Sequence, residues 1–251
     1  MALLEVRGLV KRFLGIVAVN GVDLDVRRGE LVSLIGPNGS GKTTLFNCVT
    51  GFLGADGGRV RFRDDDVTNA APHRIARLGL GRTFQQVSVF GRLSARDNLI
   101  VFLQQHQEER WLARLVRTPR LRRLEKEAVA RAHALLDLVG LGEKADAPAG
   151  SLSYGQRKLL AFAAALMPDP ELILLDEPAA AVNPTMINQM KEHIRALHRQ
   201  GKTVLLVEHN MDVVMDISQR VVVLDHGQKI AEGPPDVIRR DPAVIEAYFG
   251  R

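Results

Sequence analysis

The sequence predicts an α/β fold: a parallel sheet into which a helical lobe is inserted. Three observations carry that expectation. A glycine-rich loop, Gly36 to Thr44 (GPNGSGKTT), stands between an apolar strand and a helix. A long middle section has helical periodicity, and apolar strands alternate with helices after it.

Taken in order, Leu3 to Leu9 and Ile16 to Leu24 read as short strands with turns between them. Glu30 to Ile35, with Leu31, Val32, Leu34 and Ile35, reads as a buried strand. Gly36 to Gly41 breaks it, and Lys42 to Gly51 follows as a helix whose packed side is Leu45, Phe46, Val49 and Thr50. From Val87 to about Leu166 the spacing is helical, with Ala95 to Gln104, Leu121 to Leu138 and Tyr154 to Met167 as the main segments. Leu172 to Asp176, Val204 to Glu208 and Arg220 to Leu224 read as strands, with a helix over Pro184 to Arg199. Asp236 to Arg239 and Pro242 to Phe249 close the chain as short helices separated by Asp241 and Pro242.

A chain of 251 residues suits a single α/β unit with an inserted subdomain, or two small domains. Hydrophobic residues make up 46% and charged residues 25%, a globular balance that argues against long disorder. The single cysteine, Cys48, has no internal partner for a disulfide, and no signal segment opens the sequence, so the expected location is cytoplasmic. The longest apolar run, Leu159 to Met167, ends at Pro168, Asp169 and Pro170, well short of the about 18 residues that a membrane span requires. The net charge of +5 suits nucleic acid, an anionic membrane surface or no specific partner. It is concentrated in Arg110, Arg114, Arg117, Arg120, Arg122, Arg123, Lys126 and Arg131, with Trp111, Leu112 and Leu115 interleaved. A solvated helix face is the simpler reading of that stretch, and contact with anionic lipid headgroups the alternative.

The motifs carry the chemistry. A Gly-x4-Gly-Lys-Thr loop after a buried strand and before a helix turns backbone N–H groups and a helix N-terminus onto one anion site. Gly36, Gly39 and Gly41 let the backbone wrap close to phosphates, with Pro37, Asn38, Ser40 and Thr44 completing the loop. Lys42 reaches the β and γ phosphates, and the Thr43 hydroxyl is placed to ligate Mg²⁺. Leu172 to Leu175 runs into Asp176 and Glu177 at the carboxyl end of a strand, where ligands collect in open α/β sheets. Asp176 is suited to hold Mg²⁺ through water and Glu177 to polarise the attacking water; a helix cap is the plainer alternative. Leu152 to Gln156 (LSYGQ) sets Ser153, Gly155 and Gln156 at a helix start, either as a second phosphate site or as an ordinary N-cap.

Together GPNGSGKTT, LSYGQ, LILLDEP and LLVEH, in this order, resemble the ATPase subunits of ABC transporters over nearly the whole chain. The resemblance implies one ATP-binding domain across residues 1–251 with a P-loop NTPase ABC ATPase fold. Residues of about 1–86 and 167–251 would form a RecA-like core with an antiparallel β subdomain, and about 87–166 an inserted α-helical subdomain carrying the signature motif. It further implies that ATP and Mg²⁺ are the cofactors, and that two ATPase subunits, identical or related, close head to tail around two nucleotides. Ser153 and Gly155 of one copy would then face Lys42 of the other.

By the same resemblance Phe13 matches the aromatic position that stacks on adenine, and Ala18 the small position beside the nucleoside. Gln85 matches the glutamine that touches Mg²⁺ and the attacking water, and His209 the switch histidine that contacts the γ-phosphate and steadies Glu177. The implied partners are two transmembrane permease subunits and, indirectly, a periplasmic or extracellular solute-binding protein. The subunit would sit peripherally on the cytoplasmic side of the membrane, with no nucleic acid.

Tyr154, Asn183 with Pro184, Arg82 to Gln85, Ala179 with Ala180, and Ala247 to Gly250 resemble the subfamily for branched-chain amino acid uptake. Ala181 stands where a glycine is expected. Urea, amides or a lipid-like export substrate are the alternative solutes, and a soluble ABC ATPase acting on nucleic acid is the alternative class. Those soluble ATPases usually carry paired domains or a long coiled-coil insertion, and neither is present here.

Overall fold

Strands β1 (Ala2–Phe13) and β2 (Ile16–Arg27) form an antiparallel hairpin in the computed structural model, which describes residues 2–83, 89–104 and 119–249. Leu4 and Val6 on β1 and Val22, Leu24 and Val26 on β2 are buried with the period of two that one packed face gives, and Leu9 and Val19 are buried across the register shifts between them. Both strands outrun their sequence boundaries. Polar Lys11 and Arg12 stay in the ladder because Val19 and Val17 pair with them, a partner that local composition does not reveal. Strands β4 (Gly57–Phe62) and β5 (Asp65–Asp66) extend this sheet in the order β2-β1-β4-β5. Helix α1 (Lys42–Val49) packs Leu45, Phe46 and Val49 in the same core, as its spacing predicts.

The second sheet has six strands in the order β10-β9-β3-β8-β7-β6. Strands β3 (Leu31–Ile35), β7 (Leu172–Asp176), β8 (Thr203–Val207), β9 (Arg220–Asp225) and β6 (Leu80–Arg82) run parallel, and β10 (Gln228–Gly233) closes one edge antiparallel to β9. Every residue of β3, β7 and β8 is buried, as their largely apolar sequences demand of strands covered on both faces. Glu30 and Glu208, placed in strands by their sequence setting, lie just outside them.

Glu30 instead meets Arg220 in a two-pronged ion pair, Oε1 accepting from Nε at 2.8 Å and Oε2 from Nη2 at 2.7 Å. Arg220 also donates to the Asp25 carbonyl and to Glu232, so one guanidinium ties β2, β9 and β10 together. Short helices α2 (Pro72–Arg77), α7 (Met211–Ile217), α8 (Pro235–Ile238) and α9 (Pro242–Phe249), with the longer α6 (Pro184–Arg199), complete this unit. Helix α6 starts where Asn183 accepts the Met186 N–H and Pro184 supplies a preset φ.

Two compact units emerge: Met1–Arg82 with Glu171–Arg251, and Thr83–Pro170. The second holds α3 (Ala95–Gln104), α4 (Pro119–Leu138) and α5 (Tyr154–Leu166), with Leu99, Ala132, Leu136, Leu160 and Ala163 among its buried residues. Of the basic stretch, Arg110, Arg114 and Arg117 lie outside the described residues. Arg120, Arg122, Arg123 and Lys126 are exposed on α4, Arg123 pairing with Glu127 one turn on. Arg131 departs from that face: it donates to the Leu166 and Met167 carbonyls and to Asp169, satisfying the C-terminal end of α5. Among the described residues no helix is long and apolar enough to cross a membrane.

Candidate functional site

The strand register lines up the ends of three neighbouring strands. Leu34 pairs with Val207, and Val207 pairs with Asp176, so β3, β8 and β7 finish on one level. Gly36 onward, Glu208 with His209, and Asp176 with Glu177 therefore leave the sheet along a single edge, although well over a hundred residues separate the first from the last two. This is the carboxyl edge at which α/β sheets bind ligands.

The loop of Gly36 to Thr44 is held by its own geometry. Gly41 takes φ 99°, and a Cβ there would lie 2.4 Å from the Ala18 carbonyl oxygen; one on Gly36 would lie 2.1 Å from that of Leu224. Only glycine fits at either place. Lys42 is buried, and its Nζ donates to the Gly36 carbonyl at 2.8 Å and the Pro37 carbonyl at 2.9 Å, with Ser40 Oγ at 3.3 Å. Burial pulls the Lys42 pKa below the ordinary lysine value, while the charges of Glu177 and Asp176 push back. Those charges set the lysine within electrostatic reach of the acidic pair. Asn38, Gly39 and Thr43 are exposed, Pro37 and Thr44 half-buried and Ser40 buried. The Tyr248 hydroxyl accepts the Gly36 N–H at 2.8 Å, fastening α9 to the start of the loop.

Asp176 is buried at the end of β7, paired with Arg82 at 2.9 Å. Glu177 follows in a left-handed conformation, φ 49°, its N–H bonded to the Val207 carbonyl. That turn takes Glu177 out of the strand, where its Oε1 lies 3.9 Å from Nδ1 of the exposed His209. For Mg²⁺, the fit is that of a nucleotide-borne ion. Among the described residues no group of three or more His, Cys, Asp or Glu could hold a metal unaided. One carboxylate and one threonine hydroxyl suit an ion that brings water and phosphate ligands with it.

Phe13, at the end of β1, is 41% exposed, and Lys11 Nζ lies 5.4 Å from its ring centre. Ala18, on β2, meets the loop through its backbone oxygen. Gln85 lies outside the described residues. Ser153, Gly155 and Gln156 belong to the other unit, at the start of α5, where Ser153 Oγ accepts the Gln156 N–H at 3.3 Å and Gln156 Oε1 accepts the Ser153 N–H at 3.0 Å. This reciprocal capping box is the N-cap reading realised. Ser153 remains exposed.

Two residues escaped the sequence reading of the site. Arg82 carries only a subfamily resemblance in the sequence, yet Nη1 donates to Asn47 Oδ1 and Thr50 Oγ1, both at 2.8 Å, so it bridges α1 and Asp176. Glu208 is the other. The signal for both was a charge beside an apolar strand, which is legible only once the strand is known to be buried.

The model of the family described as "ABC transporter" matches residues 19–180, and that described as "Branched-chain amino acid ATP-binding cassette transporter" matches residues 228–251. The high-affinity branched-chain amino acid transport ATP-binding protein BraF of Pseudomonas aeruginosa is 45% identical over 249 residues, 99% of this chain and 98% of that protein. Its counterpart LivG of Escherichia coli is 43% identical over the same length and coverage. A crystal structure of the ADP conformation of an ATP-binding cassette of an ABC transporter superposes with TM-score 0.87, at 36% identity and with all of both chains covered. The chain belongs to the ABC transporter family of ATP-binding cassettes, on the branch of the branched-chain amino acid transport ATP-binding proteins.

Proposed function

We propose that this chain is the ATP-hydrolysing subunit that powers import of branched-chain amino acids. The observation that carries the reading is the row of strand ends: the loop after β3, His209 after β8, and Asp176 with Glu177 after β7. The relatives' names supply the solute. The loop N–H groups and Lys42 bind the phosphates, and Phe13 and Ala18 take the adenine nucleoside. Glu177 takes a proton from the attacking water, and His209 holds Glu177 and the γ-phosphate in line. Thr43, Asp176 and Gln85 would hold Mg²⁺, which supplies charge neutralisation on the phosphates when bound.

The two units work as one ATP-binding domain. A solved cassette dimer bound to ADP and Pi, 25% identical with TM-score 0.78, supports pairing of two subunits. In such a pair Ser153, Gly155 and Gln156 of one copy complete the other's site. Two permease subunits and an external solute-binding protein would receive the work, the chain sitting peripherally on the cytoplasmic face.

The test is reconstitution in proteoliposomes with co-purifying permeases and binding protein. Leucine, isoleucine or valine should stimulate ATP turnover. Glu177→Gln should bind ATP yet lose about a hundredfold or more in turnover, and Lys42→Ala should lose hydrolysis. Stimulation by nucleic acid without any membrane partner would overturn the reading, and full turnover by Glu177→Gln would remove Glu177 as the base.

A further inference from the structure

Glu208 follows the last residue of β8, and its side chain is 0% exposed. A carboxylate that deep is tolerated only with donors around it. Three backbone N–H groups supply them. Oε1 accepts from Ala179 at 2.7 Å, and Oε2 accepts from His209 at 3.1 Å and from Asn210 at 3.2 Å. The two oxygens thus divide between two segments: Ala179 lies two residues beyond Glu177, and His209 heads the segment after β8.

We propose that Glu208 is a positioning residue for hydrolysis, setting the distance between the segment that carries Glu177 and the one that carries His209. This rests on the roles given above to those two side chains. Their direct contact is loose, 3.9 Å between Nδ1 and Oε1, and His209 is 55% exposed, so it cannot hold the geometry by itself. Backbone N–H groups donating to a carboxylate that is shielded from water can. Asn210 adds to the effect: its Oδ1 accepts the N–H groups of Asp212 and Val213, so the segment fixed by Glu208 runs directly into α7. The carboxylate is needed rather than any polar group. A glutamine offers one acceptor oxygen and an NH₂, which would confront one of the two sets of N–H donors.

The experiment compares wild type, Glu208→Gln and Glu208→Ala, with Glu177→Gln as the hydrolysis-deficient control. Steady-state ATP turnover, binding of a fluorescent ATP analogue and amide exchange at Ala179, His209 and Asn210 are measured on the full chain. The expected result for Glu208→Gln is a fall in kcat of about tenfold or more, the scale of a small misplacement of reacting groups. KM and analogue affinity should stay within about threefold, and exchange should accelerate at Ala179 or at His209 and Asn210, whichever set the NH₂ meets. Glu208→Gln with wild-type kcat, or with protection unchanged at Ala179, His209 and Asn210 alike, overturns the proposal while leaving the ATPase reading intact. Parallel loss of kcat and analogue affinity also overturns it, because that is the mark of a general structural role. Wild-type protein without turnover, in the reconstituted complex as well, sinks the ATPase reading and this proposal with it. Should Glu208→Ala fail to fold, Glu208→Gln still decides.

Discussion

Arg82 Nη2 donates to Asp176 Oδ2 across 2.9 Å, and both side chains are almost wholly buried. The same guanidinium reaches Asn47 and Thr50, so the end of β7 and the helix after the glycine-rich loop are joined through one cation. Removing one member of a buried ion pair is far more costly than removing an exposed one. Arg82→Ala should lower unfolding free energy by about 3 kcal/mol, and Arg82→Lys, which keeps charge but not the planar fork, by about 1 kcal/mol. Urea denaturation at neutral pH measures both; an alanine variant as stable as wild type would show that the pair contributes nothing.

Gly41 permits the loop to pass against β2. An alanine there would face both a positive φ and a backbone oxygen at 2.4 Å, which no side-chain rotation relieves. Gly41→Ala should weaken binding of a fluorescent ATP analogue at least about tenfold, equivalent to about 1.4 kcal/mol. Titration of the folded variant gives the answer directly, and unchanged affinity would mean that the loop can yield without harm.

Ala181 is exposed between Glu177 and α6 and holds φ 57°, a conformation that costs an L-residue about 1–2 kcal/mol. Glycine removes the strain but adds freedom to the unfolded chain. Ala181→Gly should therefore be stabilising by about 0.5–1 kcal/mol, whereas Ala181→Val, with its branched Cβ, should be destabilising. Paired denaturation curves separate the two signs.

Glu30 has a pKa below the ordinary 4.5: burial raises it, but the hydrogen bond and charge of Arg220 and the Arg27 N–H together outweigh that. A depressed carboxylate contributes stability above its unfolded pKa and loses it as pH falls through the folded value. Glu30→Gln should be less stable than wild type by about 1–2 kcal/mol at pH 7, with the gap closing below about pH 4. Stability measured from pH 7 to pH 3 should show that convergence; a gap that is constant with pH would assign the loss to packing.

How much of this was legible beforehand follows from how local each feature is. Helices α3, α6 and α9 appear over the segments that their periodicity predicts, and β7 over its apolar run, because a helix bonds within itself and a buried strand needs only apolar residues. Strands β4 (GGRVRF) and β10 (QKIAEG) escape local patterns because both are half-polar, β4 burying only Val60 and Phe62 and β10 lying at the edge of its sheet. Pairing with a distant strand decided them. Helix α7 was too short to show a period.

The candidate site divides the same way. The sequence by itself determined the glycine-rich loop, since strand, glycines, lysine and helix are consecutive and each needs only its neighbours. It also placed Asp176 and Glu177 at a strand end. Only the tertiary structure decided that β8 runs between β3 and β7, which brings His209 beside Glu177 and turns Glu208 inward onto Ala179. Strand order in a parallel sheet is set by long-range packing across crossovers, and no local pattern of residues encodes it.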